Sequence, residues 1–311
     1  MYNEKQKSEY IQYYSEKESV RTLCERIFKS TQKFEEAWGA DLCTKSAEEL
    51  QPLVDEITGI RTRGKDAVIG ILRSYVQWCL NNDIPNTCDG MLQIKEAGTE
   101  KYKTQMIPDP LHLQKYLNQV FDAESDLTIG NTYRCYYWLV YGGVLYDDIF
   151  KIRTKNISLS DMAVNIGDNS YPIYREALPA FKNCLLLNQF IVNKANYTTY
   201  IPRGDGDILI RGTRFPCPAP TALAARVSKI QKEAFNAGKT NLKLNYNHVR
   251  LSGIFYKAYA AEMMGTPPDF TWYVDENYRV KNNKRIVPGE RNRNIREYEK
   301  EYKNWKAVFN L

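Results

Sequence analysis

Apolar residues recur at steps of three and four through roughly the first 85 residues, the spacing of one buried helix face. Ser15–Glu18 has the form of a capping box, and Gly39 ends the helix that follows it. A second capping box, Ser46–Glu49, opens the next helix, and a third helix stops before the sequence NNDIPN. The stripe of the first helix is Val20, Leu23, Cys24, Ile27, Thr31, Phe34 and Trp38. This pattern predicts a small helical bundle.

Periodicity disappears between Asn86 and Pro110, where the chain is polar and ends in two prolines. We therefore expect a helical domain over residues 1–87 and a linker over residues 88–110. Helical spacing returns at Leu111, but residues 157–178, ISLSDMAVNIGDNSYPIYREAL, show short alternating runs that predict a small antiparallel sheet. A second domain is expected over residues 111–288 and a C-terminal helix or tail over residues 289–311. The predicted fold class is mainly α with a small antiparallel β-sheet.

Composition narrows the classes of protein to consider. The 311 residues are 43% hydrophobic and 26% charged, which is ordinary for a chain of two folded domains. No apolar run reaches about 18 residues, so no membrane-spanning helix is predicted. The seven cysteines form no CxxC pair, and His112 and His248 are the only histidines. This excludes a multi-histidine metal site and argues against a zinc site. We expect a cytoplasmic protein without metal or cofactor.

Positive charge is concentrated at the end of the chain, although the formal net charge is only +6. From Arg279 to Leu311 there are ten Lys or Arg residues and four Glu residues, which accounts for the whole excess. Such a segment contacts nucleic acid or an acidic partner, or is the solvated face of a helix. A second basic group surrounds the start of the third helix and consists of Arg61, Arg63, Lys65 and Arg73.

The stretch LKLNYNHVRLSGIFYKAYAAEMMG places Arg250 after an aromatic and polar turn, at the head of an apolar helix. It resembles the second motif of the tyrosine recombinases, the phage integrase family, which reads His-x-x-Arg before a helix ending in glycine. Asn247 then takes the histidine position. Trp272 lies near the family's His or Trp, and Tyr278 a few residues short of its tyrosine nucleophile. The N-terminal bundle is similar to the family's helical, SAM-like core-binding domain, so the resemblance covers nearly the whole chain.

The resemblance implies a definite chemistry. In the family, a tyrosine attacks a DNA phosphate, two arginines hold the phosphate oxygens, and a lysine or histidine protonates the leaving 5′ oxygen. The first arginine follows a Thr-Gly pair, and residues 141–152, YGGVLYDDIFKI, are similar to that motif. Leu145 then takes the arginine position and Asp148 the glutamate position. The hairpin that carries the family's lysine reads VNIGDNSYPIY here and contains no lysine.

Three catalytic positions therefore carry the wrong side chain: those of the first arginine, the lysine and the histidine. Each such interaction is worth about 3–4 kcal/mol in the transition state, so several losses remove most of the catalysis. We expect a protein that binds specific double-stranded DNA with a recombinase-like fold and a decayed active site, and that is not an enzyme. Such proteins resemble the repressors with which temperate phages hold lysogeny, so a phage or mobile-element repressor is expected.

These expectations assign roles to named residues. The expected DNA contacts are Arg61, Arg63, Lys65, Arg73, Lys243, Arg250 and Arg279. The positions expected to be vestigial are Leu145, Asp148, Asn247, Arg250, Trp272 and Tyr278.

Two alternatives stay open. An active but divergent integrase would use Tyr278 as nucleophile, with Arg134 or Arg153 replacing the missing arginine. A recombination accessory factor would join a recombinase on DNA through its C-terminal tail, whose stripe at helical spacing is Ile295, Tyr298, Tyr302, Trp305 and Phe309. The same stripe could instead pack on its own domain. Self-association through this tail and a peptide or protein antagonist are the further partners that a repressor of this type would allow.

Overall fold

A computed structural model of the chain describes residues 1–121, 129–187, 189–191, 198–200, 207–211, 219–282 and 286–311. Within these ranges the side chains of residues 62–63, 189–191, 198–200 and 278–282 are left undescribed. The chain divides into two compact units. The first unit combines Met1–Tyr102 with Phe270–Leu311, and the second unit is Lys103–Asp269. The predicted fold class, mainly α with a small antiparallel sheet, is confirmed.

Helices make up most of both units. In chain order they are α1 (Glu4–Tyr14), α2 (Glu18–Trp38), α3 (Ala47–Ile57), α4 (Thr62–Asn81), α5 (Gly90–Gln93), α6 (Lys101–Gln105), α7 (Pro110–Val120), α8 (Ile129–Tyr141), α9 (Tyr146–Ile149), α10 (Leu178–Leu186), α11 (Pro220–Asn236), α12 (Tyr246–Met263), α13 (Thr271–Asn282) and α14 (Pro288–Phe309). None of the described helices has the length and apolar content needed to cross a membrane.

The capping motifs predicted for the first helices are only partly present in the structure. At α3, the Ser46 Oγ accepts from the Glu49 N–H at 3.3 Å while the Glu49 carboxylate accepts from the Ser46 N–H at 3.0 Å, so this capping box is confirmed. The capping box predicted at Ser15–Glu18 is wrong. The Ser15 Oγ instead accepts from the Lys17 N–H at 3.1 Å, and α2 begins without a side-chain cap. Gly39 ends α2 at a φ of 61°, as predicted.

A buried ion pair ties α1 to α2 inside the first unit. The Lys7 Nζ lies 2.5 Å from the Glu35 carboxylate, and both side chains are 0% exposed. Glu35 also accepts from the Thr31 hydroxyl at 2.8 Å and the Leu42 N–H at 3.0 Å. Burial nevertheless raises the pKa of the Glu35 carboxyl above its usual value. The carboxylate therefore depends on these partners to remain charged in the core.

The stretch predicted to be a linker is folded onto the first unit over much of its length. It contains α5 and α6, and it buries Met91, Ile94 and Tyr102. The Cys88 N–H donates to the Cys43 carbonyl at 2.9 Å. The two helices of this stretch are only four and five residues long, too short to produce a periodic signal. The first unit accordingly extends to Tyr102 before the chain passes into the second unit.

The small sheet predicted for the second unit is confirmed. It consists of β1 (Ile157–Ser158), β2 (Ala163–Ile166) and β3 (Asn169–Pro172), which pair antiparallel in the order β1-β2-β3. Val164 pairs with Tyr171, and both are buried. A separate antiparallel pair is formed by β4 (Gln189–Ile191) and β5 (Thr198–Tyr200). Both are short hairpin-type pairings, so most of the core of this unit is helical.

Helix α8 is the centre of that core. All of its residues except Asn131 and Arg134 are buried, and it packs against α10 and α12. A helix that is apolar all round needs neighbours on every side, which these two helices supply together with the residues that follow β3. The end of α8 therefore has a fixed place in the second unit.

Substitution of Lys7 tests the buried ion pair. Lys7→Ala should lower the free energy of unfolding by about 3–5 kcal/mol, because it leaves Glu35 charged and buried without its cation. Denaturant unfolding of the full chain measures this. The matched control is Lys5→Ala, an exposed lysine of the same helix, for which a change within about 0.5 kcal/mol is expected. Equal stability of the two variants would contradict the account.

Candidate functional site

The backbone of helix α12 lies in direct contact with the backbone at the end of α8. A Cβ placed on Gly253 would lie 1.7 Å from the carbonyl oxygen of Tyr141, so no other residue fits at this position without moving one helix. At the preceding residue, the Ser252 hydroxyl donates to the His248 carbonyl at 2.7 Å and accepts from the Ile107 N–H at 2.9 Å. This part of α12 is thus held against the end of α8 and against the segment that precedes α7.

That segment is the one similar to the family's first arginine motif. The chain leaves α8 through Gly143 at a φ of 97°, a conformation that favours glycine. The helix that follows is shorter than the motif suggested and comprises only Tyr146–Ile149. Leu145 precedes it and is only 8% exposed, while Asp148 is partly exposed and pairs with Lys151 at 3.0 Å. Leu145 therefore packs as an apolar residue at the expected arginine position.

Arg250 lies directly against this segment. Its side chain is buried, with the residue 3% exposed, and its Nε donates to the carbonyl oxygen of Gly143 at 3.0 Å. The Tyr246 hydroxyl donates to the Val144 carbonyl at 3.1 Å, and its ring lies 5.4 Å from that of Tyr146. The structure thus brings the two motif regions together, as the resemblance implies. Arg250 holds the backbone of the first motif with at least one of its donors.

The start of α12 carries no charged imidazole. The Asn245 side chain caps the helix by accepting from the His248 N–H at 2.9 Å. Burial lowers the pKa of His248 below its usual value, so the ring is neutral at physiological pH. Asn247, in the histidine position of the motif, is exposed in the first turn. An amide at that position can donate a hydrogen bond but cannot act as a general acid near neutral pH.

Trp272 and Tyr278, the other two positions expected to be vestigial, belong to the first unit. Trp272 lies on α13 and is 42% exposed. Tyr278 and Arg279 lie on the same helix, and their side chains are outside the described residues. The two arginines considered as replacements differ in setting. Arg134 is half-buried on α8, 3.5 Å from the Asn131 side chain, whereas the side chain of Arg153 is exposed just before β1.

Arg61, expected to contact DNA, is engaged inside the first unit by the C-terminal helix. Its Nη1 donates to the Tyr298 hydroxyl at 2.8 Å, and its Nε lies 3.0 Å from the carboxylate of Glu301, which is 1% exposed. The guanidinium also stacks 4.3 Å from the centre of the Tyr298 ring. Burial raises the pKa of the Tyr298 hydroxyl above its usual value, so it remains a neutral partner. This arginine therefore joins α4 to α14.

The neighbouring cations of α4 are also engaged internally. Lys65 is 8% exposed, donates to the Gly98 carbonyl at 3.1 Å, and has its pKa lowered by burial. Arg73 donates to the carbonyl oxygen of Ile94. The side chain of Arg63 is outside the described residues. In the second unit, Lys243 is exposed and its Nζ lies 4.6 Å from the centre of the Phe235 ring.

The aromatic stripe of the C-terminal tail packs within its own unit. Tyr298, Tyr302 and Trp305 are buried, while Ile295 and Phe309 are half-buried. The ring centre of Tyr298 lies 4.8 Å from that of Tyr273 on α13, and the Tyr302 and Phe270 ring centres are 5.6 Å apart. The sequence allowed this stripe to dock on another protein or to pack on its own domain, and in the structure it packs on its own unit.

Sequence reasoning missed the partners of Arg61. Tyr298 and Glu301 are three residues apart and share one helix face, which is the signal that could have identified them as a pair. Nothing in the sequence indicates that this face meets residue 61, because the partners are 237 residues apart. Among the described residues, no group of three or more His, Cys, Asp or Glu side chains could hold a metal ion.

A family model accounts for the first part of the chain. Residues 1–81 match the model described as "MrpR, N-terminal core-binding domain". These residues are similar to a core-binding domain of the MrpR type. The match agrees with the core-binding domain expected for this part of the chain. No curated protein matches the sequence.

Three solved structures are similar to the chain in fold, all at low sequence identity. The XerA recombinase is 10% identical, with a TM-score of 0.37 over 81% of this chain and 82% of that one. A dimer of lambda integrase bound to a COC′ core site is 11% identical, with a TM-score of 0.36 over 91% and 97%. The integrase from mycobacterium phage Brujita is 11% identical, with a TM-score of 0.30 over 81% and 76%.

Two glycine substitutions test the contact between α8 and α12. Gly253→Ala should destabilise the chain by about 1–3 kcal/mol or more, because the added methyl group meets the backbone of Tyr141. Gly70→Ala is the matched control, since a Cβ there meets nothing within 4 Å in the middle of α4. It should stabilise by about 0.5–1 kcal/mol. Denaturant unfolding measures both, and a neutral Gly253→Ala variant would contradict the close approach.

Proposed function

We propose that this protein binds double-stranded DNA without cutting it and acts as a repressor or related regulator of a phage or mobile element. The match of residues 1–81 to a core-binding domain supports a role on DNA. The side chains at the motif positions support the loss of strand cleavage. Together they favour a protein whose fold is used for recognition alone.

The observation that carries this proposal is the setting of Arg250. A catalytic arginine must turn its planar guanidinium toward the non-bridging oxygens of a phosphate. Arg250 is 3% exposed and donates its Nε to the Gly143 carbonyl at 3.0 Å. The Nε bond does not involve the four Nη–H donors, but with 3% of the residue exposed almost none of the guanidinium surface is open to a phosphate. Its role in this chain is to position the segment after α8.

Leu145 supports the same conclusion from the other side of the contact. The residue is buried and its side chain has no hydrogen-bond donor. It cannot hold a phosphate oxygen, and Arg250 beside it has only 3% of its surface exposed to a possible phosphate. The transition state would thus lack two of its expected charge interactions, and each is worth about 3–4 kcal/mol. Binding of the DNA backbone needs neither.

A suicide substrate separates this proposal from an active integrase. A nicked duplex that traps the phosphotyrosyl intermediate should give no covalent protein–DNA adduct on a denaturing gel, because the phosphate clamp is missing. A recombinase known to cleave the same type of substrate at its own site serves as the positive control. An adduct with the parent chain that disappears in Tyr278→Phe would overturn the claim that the protein does not cut DNA.

Because the target sequence is a separate unknown, the duplexes should come from a random pool enriched by repeated binding to the full chain. The enriched pool should converge on one sequence family if the protein recognises specific DNA. A reporter placed downstream of that sequence should be silenced when the protein is expressed. Enrichment without silencing would retain DNA binding and overturn the repressor role.

Salt dependence tests DNA binding itself. A mobility shift with the enriched duplex should weaken steeply as salt rises, because each neutralised phosphate releases counterions and adds about 0.9 to the slope of log K against log salt. A mixed-sequence duplex of equal length is the control for specificity and should bind more weakly at the same salt. Absence of any shift at low salt, with either duplex, would overturn the proposed function.

A further inference from the structure

We propose that the outer face of helix α14 is the surface through which the first unit contacts the DNA backbone. This inference rests on the proposed function and adds the residues of one binding face. It replaces the α4 residues that the sequence indicated. The face consists of Arg293, Arg296, Lys300 and Lys303, which are all exposed.

The charge of the first unit lies in its C-terminal segment. Residues 1–102 contain 14 Lys or Arg residues and 17 Asp or Glu residues, so the part that includes the core-binding domain is net negative. Residues 270–311 contain ten Lys or Arg and six Asp or Glu residues. On net charge, approach of this unit to a phosphate backbone is favoured through the second segment, because the first carries an excess of acids.

The cations of α4 are also poorly placed to bind phosphate. Arg61 is bound by Tyr298 and Glu301, and Lys65 is buried against the Gly98 carbonyl. Moving Arg61 to a phosphate would leave the buried Glu301 carboxylate without this cation, and moving Lys65 would take it from the half-buried Gly98 carbonyl. Arg61 instead fixes α14 to the bundle, and α14 in turn carries the exposed cations.

The four exposed cations share one face of α14. Their separations of three, four and three residues place them within roughly 80° around the helix, at about 100° per residue. The buried residues Tyr298, Tyr302 and Trp305 lie on the opposite side. Glu297 and Glu299 flank the basic face on its two edges. The cations span about 15 Å along the axis, enough to reach phosphates on both sides of a major groove about 12 Å wide.

Little holds these side chains away from a phosphate. Lys300 pairs with Glu96 at 3.2 Å, but the two side chains are 49% and 72% exposed, and such a pair is easily exchanged. Arg293 lies 4.0 Å from Glu290 of the preceding turn. Within the part of the chain that the structure describes, no salt bridge involves Arg296 or Lys303. Each can therefore bind a phosphate without a large loss elsewhere.

A charge-matched pair of triple variants tests the proposal on the full chain. The first is Arg293→Ala, Arg296→Ala and Lys303→Ala, which removes three cations of the basic face. The second is Lys5→Ala, Arg26→Ala and Lys29→Ala, which removes three exposed cations from α1 and α2 of the same unit. Both lower the net charge by the same amount. Any difference in DNA affinity between the two variants therefore depends on where the removed cations lie and not on their number.

In mobility shifts with the duplex enriched on the parent chain, the first variant should bind about tenfold or more weakly near 0.1 M salt. Its salt slope should fall by about 0.9 for each phosphate that is no longer neutralised. The second variant should bind like the parent within about twofold. Thermal unfolding should be unchanged in both, and Arg296→Glu alone should weaken binding in the same direction as the first variant.

The outcomes separate this inference from the proposed function. If the parent chain binds and both triple variants behave alike, the α14 face is not the contact and DNA binding stands. If Arg296→Glu also binds like the parent, the inference is overturned without reference to the triple variants. If the parent chain binds no duplex at low salt, the proposed function fails, and this inference fails with it.

Discussion

The contact between Gly253 and the Tyr141 carbonyl is the constraint on which the second unit's site depends. Because position 253 has no side chain, α12 meets α8 backbone to backbone. This places Arg250 against the Gly143 carbonyl and Tyr246 against that of Val144. The segment after α8 is similar to the one that carries the first catalytic arginine in tyrosine recombinases. In this chain the Arg250 side chain donates a hydrogen bond to it. A catalytic arrangement and a structural one differ here only in what Arg250 faces, and in this chain it faces the protein.

The same principle operates in the first unit. Arg61 looks like a free surface cation in the sequence, yet Glu301 and Tyr298 bind it from a helix more than 200 residues away, although 43% of its side chain stays exposed. A guanidinium with these partners stabilises the attachment of α14, since its charge-assisted bonds have good geometry. Helix α14 then exposes its own cations on the opposite side. Arg61 of the bundle thus holds in place the helix that carries these exposed cations.

Local sequence patterns predict much of the fold, but they predict only part of the candidate site. The Ser46 capping box, the stripe of α2 and the hairpins after Ile157 are set by neighbouring residues, so the sequence predicts them. The Ser15 motif failed because the same signature can satisfy its donors by a tighter local bond. The stretch after Asn86 lacks periodicity, yet single apolar residues in it are buried. The burial of Arg250 and the pairing of Arg61 with Tyr298 and Glu301 depend on residues distant in sequence, which no spacing reveals.

The central claim is that Arg250 serves the backbone after α8 and not a DNA phosphate. A structure of the full chain bound to a duplex enriched on it would test this most directly. The account predicts that the Arg250 Nε stays within hydrogen-bond distance of the Gly143 carbonyl and that Leu145 remains packed. No phosphate oxygen should then lie within about 3.2 Å of that guanidinium. A phosphate held by Arg250, with the Tyr278 hydroxyl in line for attack, would contradict it.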